Sequence, residues 1–197
     1  MSREVVLVCE DALGMAVLRR LISHARPQLV VRLPIVTGSN TTLFTNLPKY
    51  VRASQQGVAH IVLTDLDRND CAPSLIERLA VPSIPGQMIF RVAVREVESW
   101  LLADRSGMAG MIGLPVAKLP MEPDLIEDPK QYLLNLVRKC KKTRLKRDVL
   151  PELGSSASKG VFYNDRFGSF ARTEWNVDAA AKHSQSLNRT LLRLGTF

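Results

Sequence analysis

The stretch His60-Ile61-Val62-Leu63-Thr64-Asp65-Leu66-Asp67-Arg68-Asn69-Asp70 decides how this chain folds. The apolar run Val58–Leu63 has the length of a strand buried on both faces, and it stops at a cluster of acids. Side chains alternate along an extended backbone, so Asp65 and Asp67 are expected to point the same way, roughly 7 Å apart, at the carboxyl end of that strand. Two carboxylates held that close raise one another's pKa unless a cation lies between them, and a hard divalent ion with oxygen ligands is the usual partner. A second reading stays open: Asp is frequent at turns, and both acids would then cap the turn and a short helix from about Ser74 to Leu79, near Pro73.

Working outward, Val5-Val6-Leu7-Val8-Cys9 is another continuous apolar run, ending at Glu10-Asp11 and followed by Met15, Leu18, Leu21 and Ile22 at helical spacing. Leu29 to Val36 is a strand interrupted by Arg32 and Pro34, which suits an edge position. The small, polar turn Thr37–Thr42 leads to a helical face of Leu43, Phe44, Leu47, Tyr50 and Val51, with a break or kink expected at Pro48. The turn's backbone N–H groups offer a cradle for a phosphate, but it lacks the Walker and dinucleotide signatures, and an ordinary connecting loop is the preferred reading. Gln87 to Val94 is the fourth strand, running into Arg95-Glu96-Val97-Glu98-Ser99-Trp100. Strands separated by helices predict an α/β, three-layer fold with a mostly parallel sheet of about four strands. The functional crevice of such sheets lies beyond the carboxyl ends of the strands, where Glu10, Asp65, Asp67 and Glu96 or Glu98 all fall.

The chain has 197 residues, 46% of them hydrophobic, enough to bury a full core. We expect a metal-binding core over residues 1–106 and a basic, helical C-terminal extension over 107–197 packed on it. No apolar stretch approaches the roughly 20 residues of a membrane span, and Met1 leads almost directly into a strand with no basic leader region, so a cytoplasmic protein without membrane contact is expected. Cys9, Cys71 and Cys140 lack ligand or disulfide spacing and read as buried or semi-buried. His24, His60 and His183 read as surface or packing residues. The net charge of +8 favours polyanionic partners. Seven basic residues, Arg138, Lys139, Lys141, Lys142, Arg144, Lys146 and Arg147, crowd into ten positions. They read either as phosphate-backbone contacts or as a solvated helix end that meets the negative pole of its dipole. The helix they end begins at Asp128-Pro129. Phe162, Tyr163, Phe167 and Phe170 are expected to form a hydrophobic cap over the sheet's end, Ser184–Leu194 a last amphipathic helix, and Trp100 helix packing. Trp175, among charged neighbours, leaves base stacking open.

A hydrophobic strand ending in Glu10, a helix, and a later strand ending in Asp65-x-Asp67 together resemble the Toprim domain of topoisomerases, primases, recombination proteins and OLD-family nucleases. Val62–Arg68 with Val94–Asp104, and near the end Lys159–Asn164 and Ser184–Arg189, are similar to compact bacterial Toprim-like proteins, several of them linked to phage defence. The resemblance covers nearly the whole chain. It implies a magnesium-dependent endonuclease, with Mn2+ as the alternative ion and Asp65 and Asp67 as the metal-binding pair. Glu10 would be both metal ligand and general acid or base, Glu98 a further acid near the metal, and Lys159 a cation stabilising charge on the phosphate. The implied partners are nucleic acid, DNA ahead of RNA, and a partner ATPase, since the chain has no nucleotide-hydrolysing motif. A homo-oligomer is compatible with all of this. OLD-type nucleases usually carry an acid four residues after the glutamate; here that place is Gly14, which counts against a full two-metal site. The alternative is a non-catalytic or partner-activated protein that binds nucleic acid or nucleotide through the same cleft.

Overall fold

The computed structural model describes residues 3–79 and 84–197. Its frame is a four-stranded, all-parallel sheet in the order β2-β1-β3-β4, built from β1 (Glu4–Cys9), β2 (Val30–Val36), β3 (His60–Asp65) and β4 (Met88–Ala93). The chain leaves β1 through α1 (Ala12–Ala25) to β2 on one side, then returns through α2 (Asn40–Gln55) to β3 on the other. β1 and β3 therefore flank the point where the winding reverses, and a crevice opens at their carboxyl ends.

Alternation along the strands divides the core into two layers. Val5, Leu7, Cys9, Ile61, Leu63, Ile89 and Ala93 pack against α1 and the helices that follow β4. Val6, Val8, Val62, Met88, Phe90 and Val92 face the opposite way, onto Leu43, Leu47 and Val51 of α2 and Leu75 of α3 (Ala72–Arg78). This is the three-layer α/β architecture that the pattern of strands and helices predicts. β2 is one of the two edge strands, and its Val30, Leu33 and Val36 are about half exposed, consistent with Arg32 and Pro34 in its sequence. β3 begins at His60 rather than Val58, whose side chain is exposed, and extends to Asp65.

After β4 come α4 (Val97–Ala103), α5 (Arg105–Ile112), two single 3-10 turns, α6 (Pro129–Lys139), α7 (Thr143–Val149), α8 (Tyr163–Thr173), α9 (Val177–Ala181) and α10 (Gln185–Gly195). One apolar cluster runs from Val5 in β1 to Leu194 in α10. α8 lies along α1 with Tyr163, Phe167 and Phe170 buried, so the aromatic group covers a helix face rather than the sheet's end, while Phe162 stays exposed. α10 packs on β4 and α1 through Leu187 and Leu194.

Three sequence expectations are corrected. Trp175 is fully buried, its indole N–H donating to the Trp100 carbonyl at 3.2 Å, which leaves no face for a base. Cys71 is exposed, whereas Cys9 and Cys140 are buried. The basic run does not simply end one helix: α6 stops at Lys139 and the run continues into α7.

α2 runs through Pro48 without interruption. The apolar stripe of Leu43, Leu47 and Val51 on the sheet offsets the missing backbone hydrogen bond. Proline in a helix interior costs about 3 kcal/mol, against less than about 1 kcal/mol regained by stiffening the unfolded chain. Pro48 is exposed, so Pro48→Ala is expected to stabilise the protein by about 1–2 kcal/mol in urea unfolding; an unchanged or lower midpoint would count against this account.

Candidate metal and phosphate site

Glu10 follows the last residue of β1, and Asp65 is the last residue of β3. Thr64 alternates to the opposite face from Asp65, and its hydroxyl donates to Glu10 Oε1, joined by the Asp65 N–H at 3.0 Å. Glu10 is thus fixed by the strand beside it. Burial raises its pKa, an effect that these two hydrogen bonds oppose and the charges of Asp67 and Asp11 reinforce.

Asp65 points to the α4 side. Its Oδ1 accepts the Val97 N–H at 3.0 Å, so it caps α4. The helix near Pro73 starts instead at Cys71, without a side-chain cap. Burial, then the charges of Glu98 and Glu10, push Asp65 well above the carboxylate range, and the Lys130 ammonium opposes them.

Glu98 sits in the first turn of α4 and is 1% exposed. Its Oε1 accepts the Tyr163 hydroxyl at 2.9 Å and lies 3.7 Å from Lys130 Nζ; its Oε2 is buried without a partner among the described residues. Burial raises Glu98 to about 7, with Lys130 again the main opposing influence. Glu96 has a different task. One of its oxygens accepts the Lys130 N–H at 2.8 Å and the other accepts Lys130 Nζ at 2.9 Å, pinning the start of α6 beneath the site.

Asp67 departs from the expected geometry. The extended backbone ends at Asp65, and Asp67 adopts φ 51°, a left-handed conformation that Asp tolerates better than most residues. Its carboxylate accepts from Asn40 Nδ2 at 2.9 Å, its N–H donates to the Arg95 carbonyl at 3.0 Å, and its carbonyl accepts from the Arg95 guanidinium at 3.2 Å. Asp67 therefore lines a neighbouring polar groove of about 900 Å³ with Asn40, Arg68, Arg95, Glu96 and Asp128. Glu10 and Asp65 share a cavity of only about 10 Å³, room for a water or a bare ion but not for a phosphate.

Lys159 arrives from far along the chain. Its ammonium lies 3.5 Å from Asp11 Oδ2, donates to Asn164 Oδ1 at 2.7 Å, and stands 4.9 Å from the centre of the Tyr163 ring. Gly160 makes this possible. A Cβ there would lie 2.6 Å from the Leu150 carbonyl oxygen and 2.7 Å from that of Asp148, so only glycine lets the loop lie against α7.

Of the basic run, Arg138, Lys139, Lys141, Arg144 and Arg147 are exposed and Lys146 is half-buried. Arg144 and Arg147 lie near Asp148, to which Arg166 is also paired. Lys142 is engaged structurally, donating to the Gly110 and Met111 carbonyls at 2.9 and 2.8 Å at the end of α5.

The structure thus gathers Glu10, Asp65 and Glu98, with Asp67 at the adjoining groove and Lys159 at the rim beside Asp11. Sequence reasoning misses Lys130, Tyr163 as a polar partner, and Thr64 as an orienting group. A lysine in the first turn of a helix, where the dipole disfavours it, is the one available signal for Lys130. The donor set fits a hard cation: oxygen ligands only, mutually repelling, with the buried Glu98 Oε2 lacking any partner among the described residues. Among the described residues, no three such side chains already converge closely enough to hold an ion.

No protein-family model matches the chain, and no curated protein matches it. Among solved structures, the C-terminal region of the Burkholderia pseudomallei OLD protein is similar over 99% of this chain and 95% of that chain, with 14% identity and a TM-score of 0.45. A likeness that remote carries no conclusion about chemistry. Among the described residues, no helix is long and apolar enough to cross a membrane.

The buried acids set a pH dependence. Glu98 rises from 4.5 to about 7 on folding, so between those values the folded protein holds a proton that the unfolded chain has released. The contribution of Glu98 to stability is therefore fully present below about 4.5 and is lost as pH rises through about 7. In metal-free thermal melts, wild type is expected to lose several degrees between pH 5 and pH 8, and Glu98→Gln distinctly less. Parallel curves for the two proteins would refute the assignment.

Proposed function

We propose that this chain is a divalent-cation-dependent phosphodiesterase acting on nucleic acid, a Toprim-like nuclease. The observation that supports this reading is that Glu10, Asp65 and Glu98, carried by three separate elements, lie near one another at the winding reversal, Glu98 buried and the other two half-buried, with Glu98 Oε2 unpartnered among the described residues. Acids so placed are costly to the fold, and such costs concentrate at functional sites.

Glu10, Asp65 and Glu98 would hold the ion, Mg2+ or Mn2+, with Asp67 approaching from the groove. The ion, when bound, supplies Lewis acidity toward a phosphoryl oxygen and lowers the pKa of a bound water. The protein's own groups do the rest. Thr64 and the Asp65 N–H fix Glu10 Oε1, and burial, which raises the pKa of Glu10, makes its carboxylate a stronger base than a solvated one. Lys159, 3.5 Å from Asp11 and donating to Asn164 at 2.7 Å, would offset negative charge developing on a phosphate at the rim. Arg68 and Arg95 line the groove that is large enough for a nucleotide. The exposed cations of α6 and α7 would follow the backbone of a longer nucleic acid.

One observation favours a second reading. Glu10 and Asp65 enclose only about 10 Å³, and their acids do not yet converge. A chain that binds nucleic acid without cutting it, or cuts only when a partner such as an ATPase opens the crevice, would look like this.

Supercoiled plasmid, linear duplex, single-stranded DNA and structured RNA, each incubated with Mg2+, Mn2+ or chelator, separate the two. Cleavage is expected with metal and is expected to vanish with chelator and in Asp65→Ala. Equal inertness of wild type and variant, with binding intact, would move the assignment to the second reading.

Binding has its own signature. Replacing exposed Lys139, Lys141 and Arg144 by Ala is expected to weaken duplex binding alike for all sequences. The slope of log K against log salt should become shallower by roughly 2–3, about 0.9 for each phosphate no longer neutralised. An unchanged slope would make these residues a solvated face only.

A further inference from the structure

We propose that Lys130 is a cation built into the acidic crevice, filling the place of a second metal ion, so that the site takes one divalent cation and no more. The inference rests on the metal-site reading above and deepens it. Lys130 stands in the first turn of α6, where the positive helix end disfavours an ammonium. Local helix energetics therefore do not account for its position; the acids around it do. Glu96 grips the residue twice, through the backbone N–H at 2.8 Å and through Nζ at 2.9 Å, and Glu98 Oε1 lies 3.7 Å from the same ammonium. The side chain is largely withdrawn from solvent, as are its two acids, at 28%, 13% and 2% exposure. Its charge reaches further, favouring the ionised forms of both Asp65 and Glu98.

The consequence is a division of the carboxylates. Both oxygens of Glu96 are committed to Lys130. Glu98 gives Oε1 to Tyr163 and to the ammonium's field, and keeps a buried Oε2 without a partner among the described residues. What remains for an ion is Glu10, Asp65, that one oxygen of Glu98 and, from the groove, Asp67. A second divalent cation would need Glu96 and the space around Nζ, and would meet a fixed positive charge there. On the other side Gly14 offers no acid, and Asp11, which lines the same small cavity, is already engaged, Oδ1 by the Gly14 N–H at 2.9 Å and Oδ2 by Lys159 Nζ at 3.5 Å. Lys130 thus acts on the metal through Glu98 and Asp65, as a positioning residue.

Mn2+ binding followed by electron paramagnetic resonance under equilibrium dialysis tests this without relying on turnover. Wild type is expected to bind one Mn2+ per chain, Lys130→Arg one, and Lys130→Met two, the second with Glu96 and Glu98 as ligands. Adding Glu96→Gln to Lys130→Met should return the count to one. Two ions on wild type, or one ion on Lys130→Met with unaltered affinity, would overturn the inference while leaving a metal site intact. No Mn2+ on wild type at millimolar concentration would overturn both this inference and the proposed function. Should Lys130→Met fail to fold by circular dichroism, Lys130→Gln replaces it, with the same expected and overturning counts.

Discussion

Charge balance at the carboxyl edge of β1 and β3 governs this protein. Three carboxylates lie near one another there, Glu98 buried and Glu10 and Asp65 half-buried, and the desolvation that the parallel sheet imposes raises all three. The fold answers with fixed dipoles and one ammonium: the Thr64 hydroxyl and Asp65 N–H on Glu10, the Val97 N–H on Asp65, the Tyr163 hydroxyl and Lys130 on Glu98. These do not complete the balance, since Glu98 Oε2 has no partner among the described residues. An apolar replacement of such a cluster would be at least as stable, which makes its presence an argument about function rather than about folding.

The groups that balance Glu98 come from the helices after β4, which share one core with the sheet. Lys130 stands in the first turn of α6 and Tyr163 opens α8, and both side chains reach Glu98. α8 is locked along α1 by Phe167, Phe170 and Tyr163 itself, all essentially inaccessible to water. Burying each such aromatic contributes a few kcal/mol, which offsets the cost of the acids beneath. Trp100 ties the same layer together twice, its indole donating to Ser186 at 2.7 Å and its carbonyl accepting from Trp175.

How much of this is legible in the sequence follows from which signals are local. Apolar runs that end in acids disclose β1 with Glu10 and β3 with Asp65, because a strand buried on both faces has a composition that few other elements share. Arg32 and Pro34 disclose an edge strand for the same kind of reason. Asp67 escapes a reading by alternation because alternation holds only while the backbone stays extended, and the chain turns left-handed there. Pro48 and Trp175 mislead because tertiary burial outweighs local preference: a proline is carried by the stripe around it, and an indole among charged neighbours turns inward when its N–H finds a carbonyl. Lys130 and Tyr163 are illegible as site residues. Their significance lies in contacts with Glu98 across 32 and 65 positions, and little in their own segments marks them.

The two cavities divide the carboxyl edge by size. Glu10 and Asp65 enclose a space of about 10 Å³, while the groove lined by Asp67, Arg68 and Arg95 offers about 900 Å³. Only the second has room for a group as large as a phosphodiester. Asp67 lines that groove, held by Asn40 and in a backbone conformation that turns the loop back toward Arg95. The left-handed turn that breaks the alternation of side chains is therefore what sets Asp67 apart from Glu10 and Asp65, at the open groove and not in the small cavity.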